Sequence, residues 1–151
     1  EELFGAAFDK FQRDVARIQA KTMKNLTDPA ERLKALIDSW VDVLQGSSYG
    51  HLELLTDFWT EGIRNEIMGK SGLFDIKGVY SNYRNQVVSI IESGIKKGTF
   101  RRVDPFGNAA VLIGALDGIV VQWMLDKDSV DIQHLAEVVF DTFLRGISAE
   151  R

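Results

Sequence analysis

The chain has 151 residues, 45% of them hydrophobic and 26% charged, with a formal charge of −4. That length suits one domain, able to bury about 70% of its unfolded surface. The absence of cysteine excludes a disulfide framework and a thiolate metal site, and the acidic balance argues against a general nucleic-acid-binding face.

In chain order, Leu3, Phe4, Ala7, Phe8, Phe11, Val15 and Ile18 recur at three- and four-residue spacing. This predicts an amphipathic helix from about Glu2 to Met23, with Lys10, Arg13, Asp14 and Arg17 on the solvated side. Glu1-Glu2 is the opposite of a basic leader, so no secretory signal and a cytoplasmic location are expected. A start at glutamate suggests a chain trimmed from a longer one. Asp28-Pro29-Ala30-Glu31 is a helix start, with cap, first-position proline and an acid three residues after the cap. Leu33, Leu36, Ile37, Trp40, Val41 and Leu44 form its apolar stripe, with a stop near Gly46-Ser47-Ser48. A third helix, His51 to Met68, turns Leu54, Leu55, Phe58, Trp59, Gly62, Ile63 and Ile67 inward, and Gly69-Lys70-Ser71-Gly72 breaks it.

A fourth helix, Leu73 to Lys97, carries Leu73, Ile76, Tyr80, Tyr83, Val87, Ile91 and Ile95 on one stripe. Lys96 and Lys97 suit its C-terminal dipole, and Gly98 terminates it. Asp104-Pro105 opens the fifth. From Ala109 to Leu125 only Asp117 and Gln122 are polar, so this helix is expected to be wrapped by protein on all sides. It nears the lower limit of membrane-spanning length, but a central carboxylate and charged flanks point away from a membrane. Gly114 and Gly118, four apart, allow a second helix to approach closely. The last helix starts at Asp131, with Val130 and Leu135 as a hydrophobic staple, and runs through Val138, Val139, Phe140, Phe143 and Ile147. No period-two stretch competes, so the fold class is all-α with about six helices.

Reactive groups are few. His51 and His134 lie near helix starts and form no pair at metal-ligand spacing, so capping or surface roles are expected. Asp131 is already a cap. No serine, threonine or lysine has a recognisable base partner, and the glycines make no phosphate-cradling loop. Neither catalysis, nor a metal, nor a cofactor is expected.

The aromatic residues say more. Trp40, Phe58, Trp59, Tyr80, Tyr83 and Trp123 come from four helices and all lie on apolar stripes. Singly, each reads as core. Together, so many polar-tipped rings fit a ligand cavity, with Ile63, Val87 and Arg84 beside them. Arg84 is expected to salt-bridge Asp117, because an unpaired buried carboxylate is expensive, or one of the two meets a ligand. The last two helices are apolar on more of their circumference than a small core needs. This suggests a self-complementary four-helix contact through Gly114, Gly118, Val121, Leu135, Val139 and Phe143.

These residues, in order, resemble the C-terminal half of TetR-type bacterial transcriptional regulators. The matching pieces are Glu1-Glu2-Leu3-Phe4, Asp57-Phe58-Trp59, Tyr80 with Tyr83-Arg84, Gly94-Ile95-Lys96-Lys97-Gly98-Thr99-Phe100-Arg101, Asp104-Pro105, Ala109-Ala110, Asp117-Gly118-Ile119 and Gln122-Trp123. The resemblance implies that residues 1–151 form a single effector-binding and dimerising domain. It further implies a homodimer built on the last two helices and a pocket between the second to fifth helices for a small molecule whose identity does not carry over; the aromatic residues themselves suggest an apolar or aromatic one. In such proteins the ligand shifts the first helix and so respaces two DNA-reading heads. The helix-turn-helix head is missing here, so DNA would be met only through it. A helical enzyme acting on an apolar small molecule, and a pocketless protein–protein adaptor, are the alternatives.

Overall fold

The computed structural model describes the backbone of residues 2–46, 50–70, 72 and 75–149. Among the described residues there are six helices: α1 (Glu2–Met23), α2 (Pro29–Gly46), α3 (Gly50–Ile67), α4 (Ile76–Lys97), α5 (Pro105–Leu125) and α6 (Ile132–Ile147). Side chains 2–5, 7 and 50–55 lie outside the described residues, and with them the expectations for Leu3, Phe4, Ala7, His51, Leu54 and Leu55. Among the described residues there is no strand, only an isolated bridge between Phe100 and Ser148.

The helix starts follow their capping residues. Asp28 Oδ2 accepts from the Glu31 N–H at 3.0 Å, and Asp131 Oδ1 from the His134 N–H at 3.1 Å. Each satisfies a donor that the first helical turn leaves free. Asp104 caps α5 in the same way, with Pro105 at the first position. One boundary differs from expectation. α4 begins at Ile76 rather than near Leu73, because the Asp75 carboxylate accepts from the Gly78 N–H at 2.8 Å and fixes the start there.

α4 ends at Gly98, whose φ of 73° is the left-handed conformation that closes a helix. The N–H groups of Thr99 and Phe100 turn back onto the Gly94 carbonyl at 2.9 and 3.1 Å. This folds the Phe100 ring over Gly94, where no side chain would fit. The chain then bonds along the end of α6, with Arg101 N–H to the Ile147 carbonyl and Ala149 N–H to the Thr99 carbonyl.

The main core joins α2, α4, α5 and α6 through Leu33, Ile37, Val41, Ile90, Ile91, Leu112, Val120, Ile132 and Ile147, each at most 2% exposed. α1 lies along α2, and α3 packs on α4. The expectation that α5 is enclosed on all sides is corrected. Ala109, Leu112, Leu116, Ile119 and Val120 face the core, while Val111, Val121 and Leu125 are 67%, 44% and 83% exposed. Its apolar circumference is divided between its own core and an uncovered stripe.

Candidate functional site

An internal cavity of about 90 Å³ lies where α1, α2, α3, α4 and α5 meet. Each helix offers a stripe to it. α1 supplies Phe8, Phe11, Gln12, Val15 and Gln19, and α2 supplies Leu36, Ile37, Trp40, Val43 and Leu44. Phe58 and Trp59 come from α3, and Ile76, Val79, Tyr80, Tyr83, Gln86 and Val87 from α4. α5 contributes Leu112, Ile113, Leu116 and Asp117. The rings are held by one another: Phe8 and Phe58 meet edge to face with centroids 4.3 Å apart.

Among the described residues Asp117 is the one charged residue in this lining. The Tyr80 hydroxyl donates to its Oδ2 at 2.8 Å, tying α4 to α5. Burial raises the Asp117 carboxyl above its ordinary value, opposed by that hydrogen bond. Burial, and next the Asp117 carboxylate, push the Tyr80 phenol up, while a hydrogen bond from Trp59 acts the other way. The Tyr83 phenol is also raised by burial, with the Gln12 side chain of α1 acting the other way. Both tyrosines are therefore neutral donors at physiological pH.

A second, open groove of about 600 Å³ adjoins the cavity. It is lined by Trp59, Thr60, Ile63, Arg64, Ile67, Met68, Tyr80, Asp117 and Val121. Trp59, Tyr80 and Asp117 line both spaces and so form the wall between them.

Of the residues singled out from sequence, Trp40, Phe58, Trp59, Tyr80, Tyr83 and Val87 line the cavity, and Ile63 lines the groove. Two do not line either. The Arg84 guanidinium lies over the Phe106 ring, 4.9 Å from its centroid, and does not pair with Asp117. Trp123 packs at the far end of α5 with Lys127 over its ring, 5.2 Å from the centroid. Asp117 is six residues earlier, roughly 9 Å back along the helix axis. Among the described residues no lysine or arginine is within ion-pair distance of Asp117. The α1 stripe is expected from sequence to be an apolar packing face rather than cavity lining, and the glutamines were not singled out, because glutamine on a half-polar helix carries no burial signal. Gln19, at 5% exposed, is among the most buried polar residues described.

Outside the cavity, α5 leaves Val111, Gly114, Gly118, Val121 and Leu125 along one side, alternately three and four apart, with Ala115 beside them. A side chain placed on Gly114 or Gly118 would meet nothing within 4 Å. On α6, Val138 is 45% exposed, while Leu135, Val139 and Phe143 are partly buried against the chain's own core. Among the described residues no group of three histidines or carboxylates could hold a metal.

A family model for the C-terminal domain of BetI-type transcriptional repressors matches residues 29–147. The chain belongs to that family. The BetI-type C-terminal domain is a regulator domain and not an enzyme, which removes the catalytic alternative. The matched span runs from Pro29 at the start of α2 to Ile147 at the end of α6. A crystal structure of a protein assigned as a transcriptional regulator from Saccharomonospora viridis, in complex with choline, superposes with a TM-score of 0.79. It is 20% identical, and the match covers 99% of this chain and 75% of that one. At that identity the likeness is one of fold. No curated protein matches the chain.

Proposed function

We propose that this BetI-type domain senses a compact organic cation in its aromatic cavity and acts as a homodimer. In a full-length protein, occupancy would change the affinity of attached DNA-binding heads. The observation that carries the reading is Asp117: a partly buried carboxylate among aromatic rings, with one neutral donor and, among the described residues, no cation beside it. A partner cation supplied by a ligand would relieve the cost of ionising it there. Quaternary ammonium groups are well held by aromatic faces within about 6 Å, each contact contributing about 0.5–2 kcal/mol. The regulator that shares this fold was crystallised with choline, which has that chemistry. A cavity of about 90 Å³ suits only a small head group. A bulkier effector would extend past Trp59 and Tyr80 into the groove.

Signal transfer has a physical route. Gln12 of α1 lines the cavity with Tyr83, and Phe8 rests on Phe58, so a ligand that moves either aromatic biases the position of α1. Such coupling requires different ligand affinity in the two helix positions and is typically about 1–3 kcal/mol. Dimerisation is supported by the open α5 stripe, whose alternating three- and four-residue spacing is that of a helix–helix seam. A cytoplasmic location fits this scheme. Among the described residues α5 alone is long and apolar enough to span a bilayer, and its inner face is instead spent on the core.

The test is thermal shift with choline and with its neutral carbon analogue, in which a quaternary carbon replaces the nitrogen. At a hundred times its dissociation constant, an effector stabilises by about 2.7 kcal/mol. Stabilisation by choline and a much weaker response to the neutral analogue is the expected result. Equal response to both would remove the charge from the reading.

A further inference from the structure

Gln86 lines the cavity from α4, and its side-chain oxygen Oε1 is buried with no hydrogen-bond partner. Among the described residues it is the one buried side-chain polar atom in that position. Buried acceptors are nearly always satisfied, and one left unpaired beside a cavity is met by whatever fills the cavity. Gln86 is six residues after Tyr80, roughly 9 Å along the helix, and on the same side as Val79 and Tyr83. The cavity therefore has a carboxylate at the level of Tyr80 and a bare acceptor about two turns further along.

We propose that Gln86 is an effector-binding residue, and that the effector is a bifunctional molecule whose cationic head meets Asp117 and whose hydroxyl or other hydrogen-bond donor is received by Gln86 Oε1. The proposal rests on the cation-sensing reading above and adds a requirement to it. Water can serve that oxygen while the cavity is wet. A ligand that fills the cavity displaces such water and must supply a donor in its place. A ligand of the same shape without a donor leaves a buried acceptor unpaired, at a loss of roughly 5- to 150-fold in affinity. Gln86 would thus separate donor-bearing cations from tetraalkylammonium ions of equal size, which the aromatic rings alone would accept.

Calorimetric titration of the chain with three compounds separates the two claims: choline, its neutral carbon analogue, and the cation in which a methyl group replaces the choline hydroxyl. The unaltered chain is expected to bind choline at least fivefold more tightly than the methyl compound. Replacing hydroxyl by methyl makes the ligand more apolar, so a hydroxyl preference cannot come from the aromatic walls. In Gln86→Leu the preference should collapse to near parity, and in Gln86→Glu, which keeps an acceptor at the position, it should return. Equal affinity for the two cations, or a preference that survives in Gln86→Leu, overturns the assignment. If Gln86→Leu does not fold, the comparison of the two cations on the unaltered chain decides it. If the neutral alcohol binds as tightly as choline, the cation reading fails instead, and weakening of that alcohol by Gln86→Leu would still support the donor site. If none of the three binds, both readings fall.

Discussion

The Tyr80 hydroxyl reaches across from α4 to donate to Asp117 Oδ2 on α5, at 2.8 Å, in the wall shared by the cavity and the open groove. This contact sets the electrostatics of the site. Two groups that burial drives toward neutrality are joined, and among the described residues neither is offset by a cation. Arg84, the partner expected from the sequence, is committed to Phe106.

The sign of the pH dependence follows. Burial raises the Asp117 carboxyl in the folded chain above its ordinary value of 3.8. A raised carboxyl favours folding when protonated, so its contribution is complete below 3.8 and is lost as pH rises through the raised value. Asp117→Asn keeps an acceptor for Tyr80 and cannot ionise. The stability of this variant relative to the unaltered chain should therefore grow with pH across that window and then level off. Urea unfolding at a series of pH values measures it, and a difference that shrinks with rising pH would contradict the burial account.

At the C-terminal end of α4, Gly94→Ala should lower stability by about 1–3 kcal/mol, because the new methyl group falls on the Phe100 ring and that ring is pinned by the backbone turn at Gly98. The cost should be non-additive with Phe100→Leu, whose smaller side chain leaves room. Denaturant midpoints of the two single variants and the double variant measure the coupling.

The outward stripe of α5 makes a separate prediction about assembly. Val111→Glu places a charge on a residue that is 67% exposed and outside the core. The folded monomer should tolerate it within about 0.5 kcal/mol. Sedimentation should show a dimer for the unaltered chain and a monomer for this variant, and only the former should melt at a temperature that rises with protein concentration. An unaltered chain that sediments as a monomer would remove the dimer from the account.

Much of the fold was legible because helix starts are local chemistry. Asp28-Pro29, Asp104-Pro105 and Asp131 each state their position through a side chain that caps its own helix. α4 was misplaced by three residues because Leu73 and Ile76 continue one stripe, and only Asp75 decides between them. The apolar members of the cavity were also readable, since Trp40, Phe58, Trp59, Tyr80 and Tyr83 sit on inward stripes. The partners of polar groups were not. Whether Asp117 meets Arg84 or Tyr80 depends on the relative rotation and height of α4 and α5, which the periodicity of either helix leaves free. The same holds for Trp123, which shares a helix with Asp117 but lies too far along it to reach the cavity. Gln12, Gln19 and Gln86 have no signature at all, because their burial is set by neighbouring helices. The surplus of apolar surface on α5 was visible as composition, while its division into an inner and an outer face was not.

The central claim is that Asp117 gives the cavity its preference for a cation, and calorimetric titration of choline into the unaltered chain and into Asp117→Asn tests it most directly. The account predicts measurable binding to the unaltered chain that weakens as pH falls through the raised Asp117 value, and a loss of at least tenfold with no such pH dependence in Asp117→Asn. Equal affinity of the two proteins, unchanged by pH, would show that the carboxylate serves only to hold Tyr80 and would contradict the account.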